Sequence, residues 1–487
     1  MKATLCPVTP PRGVRECRID NRPEGCHMAN GAKRTRVLII GAAGRDFHDF
    51  NVMFKKDPRV EVVAFTQAMG QNMAWSKDDI GPDGFKDRKY PPSLSGRRYP
   101  NGIPIWPEDM LEDAIVKYNV DICVLSYSDL PPEKVRSLEI RCASFGADFR
   151  IMAPEHTMLR STKPVIAVVA SRTGAGKSTI SRSVVRALKR HGRKVVAVRH
   201  PMPYGDLARQ KVERFANYRD LAKYETTLEE REEYEPHIDA GNIIYAGVDY
   251  EAILRRAERE ADVIIWDGGN NDSSFYKPDL TFCVVQAFRP GEELVYHPGA
   301  VNLRLADVVI INKVDSAKPS DVKKVDENIR KVNRRAAIIH CKSPTIVDHP
   351  ELVKGKTVLV LEDGPTVTHG DLPFAAGYIA AKRYGARRIF DPRPYAIGNL
   401  KRTFDRFKHL DNVLPTMGYG VQQMKEIEKV LAAIDDKVDA VVMGTPIDLT
   451  RVIEIKQPIV RVHYEAQEVK GKRIAYFVDK LLKEKGL

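Results

Sequence analysis

The segment 171–179, Ser-Arg-Thr-Gly-Ala-Gly-Lys-Ser-Thr, holds the residue types that cradle a phosphate. Gly174 and Gly176 let successive backbone N–H groups turn inward around phosphate oxygens. Lys177 offers a point charge to the β- and γ-phosphates of a nucleotide, and Ser178 a hydroxyl for Mg²⁺. Arg172, Thr173, Ala175 and Thr179 complete the loop, so 172–179 are the expected nucleotide-binding residues. The pattern G-x-x-x-x-G-K-[ST] is met except at its first position, where this chain has Ser171. An ordinary glycine turn between a strand and a helix is the alternative.

Two downstream segments fit the same chemistry. In 263–272, Val-Ile-Ile-Trp-Asp-Gly-Gly-Asn-Asn-Asp, an apolar run ends in Asp267 before two glycines. Asp267 is the expected second group of the magnesium shell beside Ser178, and a turn-capping aspartate is the alternative. In 308–315 a second apolar run ends in Asn312-Lys313-Val314-Asp315. A carboxylate at Asp315 accepts two hydrogen bonds from the N1–H and amine of guanine, a donor pair that adenine lacks. GTP is therefore expected to be preferred, with ATP as the other candidate.

Further polar segments follow apolar runs. Arg199, His200 and Asp206, in Arg-His-Pro-Met-Pro-Tyr-Gly-Asp, are read as catalytic together with Lys177 and Asp267. Arg199 would stabilise charge on the transferring phosphoryl group, His200 would shuttle a proton, and Asp206 would orient a nucleophile or metal water. The run 229–237 carries five glutamates and reads first as a solvated helix face. A mobile switch using Glu235 and His237 is its alternative. Gly41-Ala-Ala-Gly44-Arg45-Asp46 lacks the third glycine of a dinucleotide turn, so a short phosphate-binding turn with Arg45 and His48 facing an anion is expected instead. In 362–371, carboxylates, hydroxyls and His369 gather at a strand end, with Asp371 as an expected helix cap and a substrate or metal pocket as the functional reading.

These segments need a scaffold that brings strand ends together. From Thr35 the chain alternates short apolar runs with amphipathic stretches, the rhythm of parallel sheets with helical crossovers. The expected class is α/β, with an N-terminal Rossmann-like domain at 34–160 and a larger P-loop NTPase domain at 161–487, mostly parallel and with a C-terminal α/β extension. Residues 163–316 are expected to form one sheet. Residues 1–33 are aperiodic and rich in Pro, Gly and charge, which predicts a disordered tail. The stretch 70–107 is expected to be a long loop over a sheet edge.

Composition narrows the partners. The 487 residues carry a net charge of +13, which suits polyanions such as nucleotides and phosphorylated metabolites. No RNA-binding aromatic signature or C2H2 finger is spelled out, so nucleic acid is not the expected partner. Of the seven cysteines none forms a C-x-x-C pair, and buried free thiols are expected. No apolar run reaches the ~18 residues of a membrane helix. With no apolar signal core near the start, a cytoplasmic protein that is no membrane partner is expected.

The order of phosphate loop, Asp-Gly-Gly and N-K-x-D resembles the SIMIBI class of P-loop NTPases. From about Thr35 onward the chain resembles the cyclic 2,3-diphosphoglycerate synthetases. The resemblance is carried by 41–48, 199–206, 229–237, 266–272 and 362–371. It implies a nucleotide-driven ligase that activates a small phosphorylated acid and closes an intramolecular phosphoanhydride. Arg172 stands where some members of the class carry a lysine that reaches across a dimer, and a homodimer or larger homo-oligomer is left open. The second function class is a regulatory or metal-delivery GTPase acting on a protein partner.

Overall fold

The computed structural model describes residues 33–68, 88–200, 207–269, 271–368, 372–416, 420–445, 447–451 and 453–487. The chain divides into Met1–Arg34, of which only 33 and 34 are described, and the compact unit Thr35–Leu487. Cys6, Cys17, Cys26, Asp206, His369 and Asp371 therefore lie outside the described residues.

Among the described residues three sheets form, all mainly parallel. The first runs from β1 (Thr35–Ile40) and β2 (Val60–Gln67) through β3 (Lys89–Tyr90), β4 (Ile103–Pro107), β5 (Ile122–Leu125) and β6 (Asp148–Ile151), in the order β3-β4-β2-β1-β5-β6. Only the β3–β4 pair is antiparallel. Part of the expected 70–107 loop is thus sheet. Two prolines within Ile-Pro-Ile-Trp-Pro hide β4 in the sequence, because proline cannot donate to a ladder.

The second sheet holds β7 (Val165–Ala170), β8 (Val195–Val198), β9 (Glu213–Phe215), β10 (Ile243–Ala246), β11 (Val263–Trp266), β12 (Leu280–Gln286), β13 (Val308–Asn312) and β14 (Ala337–Lys342). Its order is β21-β14-β13-β12-β7-β11-β8-β10-β9, with β21 (Gln467–Lys470) returning from near the C-terminus. The strands expected within 163–316 do share one sheet. β7 and β11 are parallel neighbours, so the turns after Ala170 and Trp266 leave one edge side by side. All six side chains of β7 are buried, as expected of a strand covered on both faces. One cover is the phosphate-loop helix Lys177–Arg190, packed through Ile180, Val184 and Leu188. The C-terminal helix Ile474–Glu484 adds Val478, Leu481 and Leu482 to the same core. The other cover includes Ile253, Leu254 and Ala257 of the helix Tyr250–Glu260.

The C-terminal extension is a sheet of its own. β15 (Thr345–Val347), β16 (Thr357–Asp363), β17 (Arg388–Ile389), β19 (Ala440–Met443) and β20 (Ile459–Tyr464) take the order β15-β20-β19-β16-β17, and β18 (Leu414–Thr416) also pairs with β16. The buried Glu362 accepts the N–H groups of Ala375, Gly377 and Tyr378 and so fixes the start of the helix Ala376–Arg383 against this sheet. Cys123, Cys142, Cys283 and Cys341 are buried free thiols. No helix among the described residues is long and apolar enough to cross a membrane.

Because the C-terminal helix packs on the phosphate-loop helix, its core side chains support the site. Leu482→Ala should destabilise the protein by about 2–5 kcal/mol, read as a lowered urea midpoint at unchanged slope.

Candidate active site

The phosphate loop is held from outside by the ends of two neighbouring strands. Gln286 at the end of β12 donates to Thr173 O at 3.1 Å. At the end of β13, Asn312 Nδ2 donates to Ala175 O at 2.9 Å and Lys313 Nζ to Gly174 O at 2.8 Å. In a trans peptide C=O and N–H point opposite ways, so tying these carbonyls outward turns the N–H groups of Gly174 and Gly176 toward the cavity they line, while the Ala175 N–H donates to Arg172 O at 3.4 Å. Gly176 has φ 93°, and a Cβ there would stand 2.3 Å from Asn312 Nδ2, so the bracing by Asn312 demands glycine. Asn312 and Lys313 therefore brace the loop, and Lys313 also lines the cavity.

The cavity measures about 410 Å³. Residues 172–179 form its floor, with Arg199, Glu233, Phe288 and Lys313 on its walls. The third sheet closes it through Thr366, Phe374, Ile379 and Gly444. A wider open groove of about 740 Å³ beside the helix Pro319–Val332 contains none of these groups.

Behind the loop, a single carboxylate gathers the charged residues. Asp267 Oδ1 accepts from Lys177 Nζ at 2.5 Å and from Ser181 Oγ at 2.8 Å. His237 Nε2 lies 3.0 Å from Oδ2, and Arg199 Nη1 donates to the Asp267 carbonyl at 3.0 Å. Burial alone would raise the Asp267 pKa, but Lys177, the hydrogen bond from His237 and Arg199 outweigh it and hold it well below the ordinary value. The ionised carboxylate makes His237 the donor of that bond.

The acidic run is no solvated face. It forms the helix Leu228–Asp239, opened by a capping box between Thr227 and Glu230. Glu230, Glu232, Glu235 and His237 are buried. Glu232 Oε1 accepts the hydroxyls of Thr416 and Thr445 from the third sheet at 2.7 Å each, and Glu235 accepts the Asp448 N–H at 3.4 Å. Glu233 pairs with Arg199, and its Oε2 lies 3.5 Å from Ser178 Oγ. Glu232 and Glu233 carry no distinguishing motif, and only the packing of this helix between two sheets reveals them.

Other expected residues point elsewhere. His200 sits between two loops: a Cβ on Gly269 would fall 1.4 Å from its Nε2, and one on Gly44 3.4 Å from its Cβ. Its Nε2 is 3.7 Å from Asp272 Oδ2, and it does not line the cavity over the phosphate loop. Arg45 is buried between Asp49 and Asp272 and donates to Ser273 O, while His48 stacks on Phe275 and bonds Thr157 O. Both face their own chain rather than an external anion. Arg172 pairs with Glu292 at 2.6 Å and lies over the Tyr296 ring within one chain. Asp315 is exposed and accepts the Ser343 N–H at 3.0 Å through Oδ1.

The arginine synthetase ArcE of Thermococcus kodakarensis is 55% identical to this chain over 437 residues, 90% of this chain and 94% of the relative. The chain belongs to the ArcE arginine synthetase family. No family model matches it. Among solved structures, LpxK from Aquifex aeolicus, crystallised with ATP, aligns at 11% identity and a TM-score of 0.40, over 77% of this chain and 99% of that one. A ParA-family ATPase from Chlorobium tepidum aligns at 17% identity and a TM-score of 0.21, over 37% and 85%. Those likenesses are loose, and the fold stands on the strand order above. Membership in the ArcE family and the phosphate loop together make this an NTP-dependent synthetase.

Lys177 is the one cation that both the loop and Asp267 claim. Lys177→Ala should lower nucleotide turnover by about a hundredfold or more, because the loop would lose the charge it can offer a transferring phosphoryl group. Steady-state phosphate release checks this, with circular dichroism as the control for fold.

Proposed function

We propose that the protein forms arginine at the expense of a nucleoside triphosphate, with Mg²⁺ as cofactor. The observation that carries this reading is the Lys177–Asp267–Arg199 set behind a phosphate loop, in a chain matched to ArcE along nine-tenths of its length. A guanidinium carbon bonds three nitrogens, so an oxygen must leave a ureido precursor. Transfer of the γ-phosphoryl group breaks its bond to the nucleotide and forms one to the ureido oxygen. An amine nitrogen then bonds to the carbon, the C–O bond breaks, and phosphate departs. In this scheme Lys177 leaves Asp267 for the β- and γ-phosphates, and Arg199 meets charge on the transferring group. Ser178 and carboxylate oxygens beside it are hard donors that suit Mg²⁺, whose charge would offset that of the phosphates.

The phosphorylated acid suggested by the resemblance to the cyclic 2,3-diphosphoglycerate synthetases makes a heavier demand on cations. An acceptor with two phosphates needs several, and the residues expected to supply them have internal partners. Arg45 is engaged by Asp49, Asp272 and Ser273 O, and His200 does not line the cavity. This favours an amino-acid acceptor over a phosphometabolite. Guanine preference rests on Asp315 alone, which has Oδ2 to offer a base beyond the oxygen that Ser343 engages. A protein-directed GTPase role has no separate observation in its favour.

The full chain incubated with nucleotide, Mg²⁺, an ammonium salt and a ureido amino acid should yield arginine and phosphate, followed by mass spectrometry and phosphorus NMR. Nucleotide consumption with 2,3-diphosphoglycerate, and no arginine under any condition, would overturn the reading. Arg199→Lys should lower turnover at nearly unchanged nucleotide affinity, since an ammonium cannot serve Glu233 and the Asp267 carbonyl as the planar guanidinium does. Asp315→Asn should weaken GTP and leave ATP unaffected in a competition titration. If wild type takes both nucleotides equally, Asp315 serves only to brace the Ser343 turn.

A further inference from the structure

We propose that Glu233, rather than Asp267, is the protein carboxylate that binds the divalent cation together with Ser178 and the nucleotide phosphates. The inference rests on the reading of 172–179 as a nucleotide loop, and it changes the ligand set that strand-end position alone suggests.

Access separates the two acids. Glu233 lines the cavity beside Lys177, Ser178 and Arg199, and its side chain is 22% exposed. Asp267 lies behind the loop, its side chain 2% exposed, and forms no part of the cavity wall.

Capacity separates them further. Asp267 spends Oδ1 on Lys177 and Ser181 and Oδ2 on His237, with Arg199 Nη1 at 3.9 Å. A cation seated there would have to displace these donors from both oxygens. Glu233 gives Oε1 to Arg199 but offers Oε2 toward the Ser178 hydroxyl at 3.5 Å, longer than a normal O–H···O bond. Adjacent oxygens around an octahedral Mg²⁺ stand about 3 Å apart, since its bonds are about 2.1 Å. Little movement separates the observed pair from that spacing. Two oxygens from the chain, with phosphates and water supplying the rest, is the usual complement for Mg²⁺ in phosphate sites.

The position has a structural consequence. Glu233 stands on the helix whose Glu232 and Glu235 are held by Thr416, Thr445 and the Asp448 N–H of the third sheet. Ligation by Glu233 would tie the metal–nucleotide complex to that sheet, which also closes the cavity.

The test uses the full chain with ADP and reads Mn²⁺ binding by electron paramagnetic resonance, which needs neither turnover nor a known acceptor. Glu233→Gln should weaken Mn²⁺ by at least about tenfold while ADP affinity in EDTA stays as in wild type. Glu233→Cys should shift the metal preference from Mn²⁺ toward the thiophilic Cd²⁺, a readout that a purely structural role would not move. Wild-type Mn²⁺ affinity in Glu233→Gln overturns the proposal. So does parallel loss of metal and metal-free ADP binding without a Cd²⁺ preference in Glu233→Cys. Failure of wild type to bind ADP at all would instead sink the nucleotide reading, and failure to make arginine leaves this measurement intact.

Discussion

A buried ionised carboxylate costs several kcal/mol unless it is surrounded by donors. Asp267 meets that demand by drawing in four side chains from three directions. Lys177 and Ser181 come from one face of the phosphate-loop helix, Arg199 from the end of β8, and His237 from the acidic helix. The demand can be met only if β7, β11 and β8 lie side by side, which is the order the sheet adopts. Without nucleotide, Asp267 is the counter-ion that lets Lys177 stay buried. Phosphates entering the cavity would compete for that lysine, and Ser181, His237 and Arg199 remain to keep the carboxylate satisfied. A lysine drawn to those phosphates would thus leave no buried charge stranded.

The same constraint recruits the two flanking sheets. In parallel sheets, ligand-facing loops follow the carboxyl ends of strands. Asp129, in the loop after β5, accepts the Thr173 N–H at 3.3 Å, so the first sheet touches the phosphate loop directly. Arg45 reaches Asp272 and Ser273, in the segment that follows Asp267. On the other side the acidic helix carries His237 to Asp267, Glu233 to the cavity wall, and Glu232 and Glu235 toward the third sheet. A helix whose alternate acids serve two neighbours cannot shift without disturbing both. That gives the C-terminal sheet a mechanical link to Arg199 and Asp267 as well as its share of the cavity wall.

Other features are packing rather than chemistry. The stack of His48 on Phe275, with Tyr250 and Trp266 against the same ring, fills the space between the first and second sheets. His48 is pushed down to about 3 by burial and by Arg45, so it stays neutral and serves as an aromatic plate that also bonds Thr157 O.

The phosphate loop and Asp267 were legible in the sequence because their chemistry is local. A backbone nest needs glycines a fixed distance before a lysine, and a strand-end aspartate needs only an apolar run before it. The long apolar strands and their parallel character were legible for the same reason: burial on both faces writes itself as unbroken Val and Ile. What escaped depends on neighbours distant in the chain. Five glutamates near one another look like a solvated face until hydroxyls from residues 416 and 445 and a guanidinium from 199 are placed against them. Arg45 and His48 look like ligand-facing groups until Asp272 and Phe275, more than 220 residues on, are folded onto them. Whether a charged side chain meets solvent, a ligand or another part of its own chain is a matter of what packs there, and residue type and spacing leave that open. Tertiary structure alone decided it.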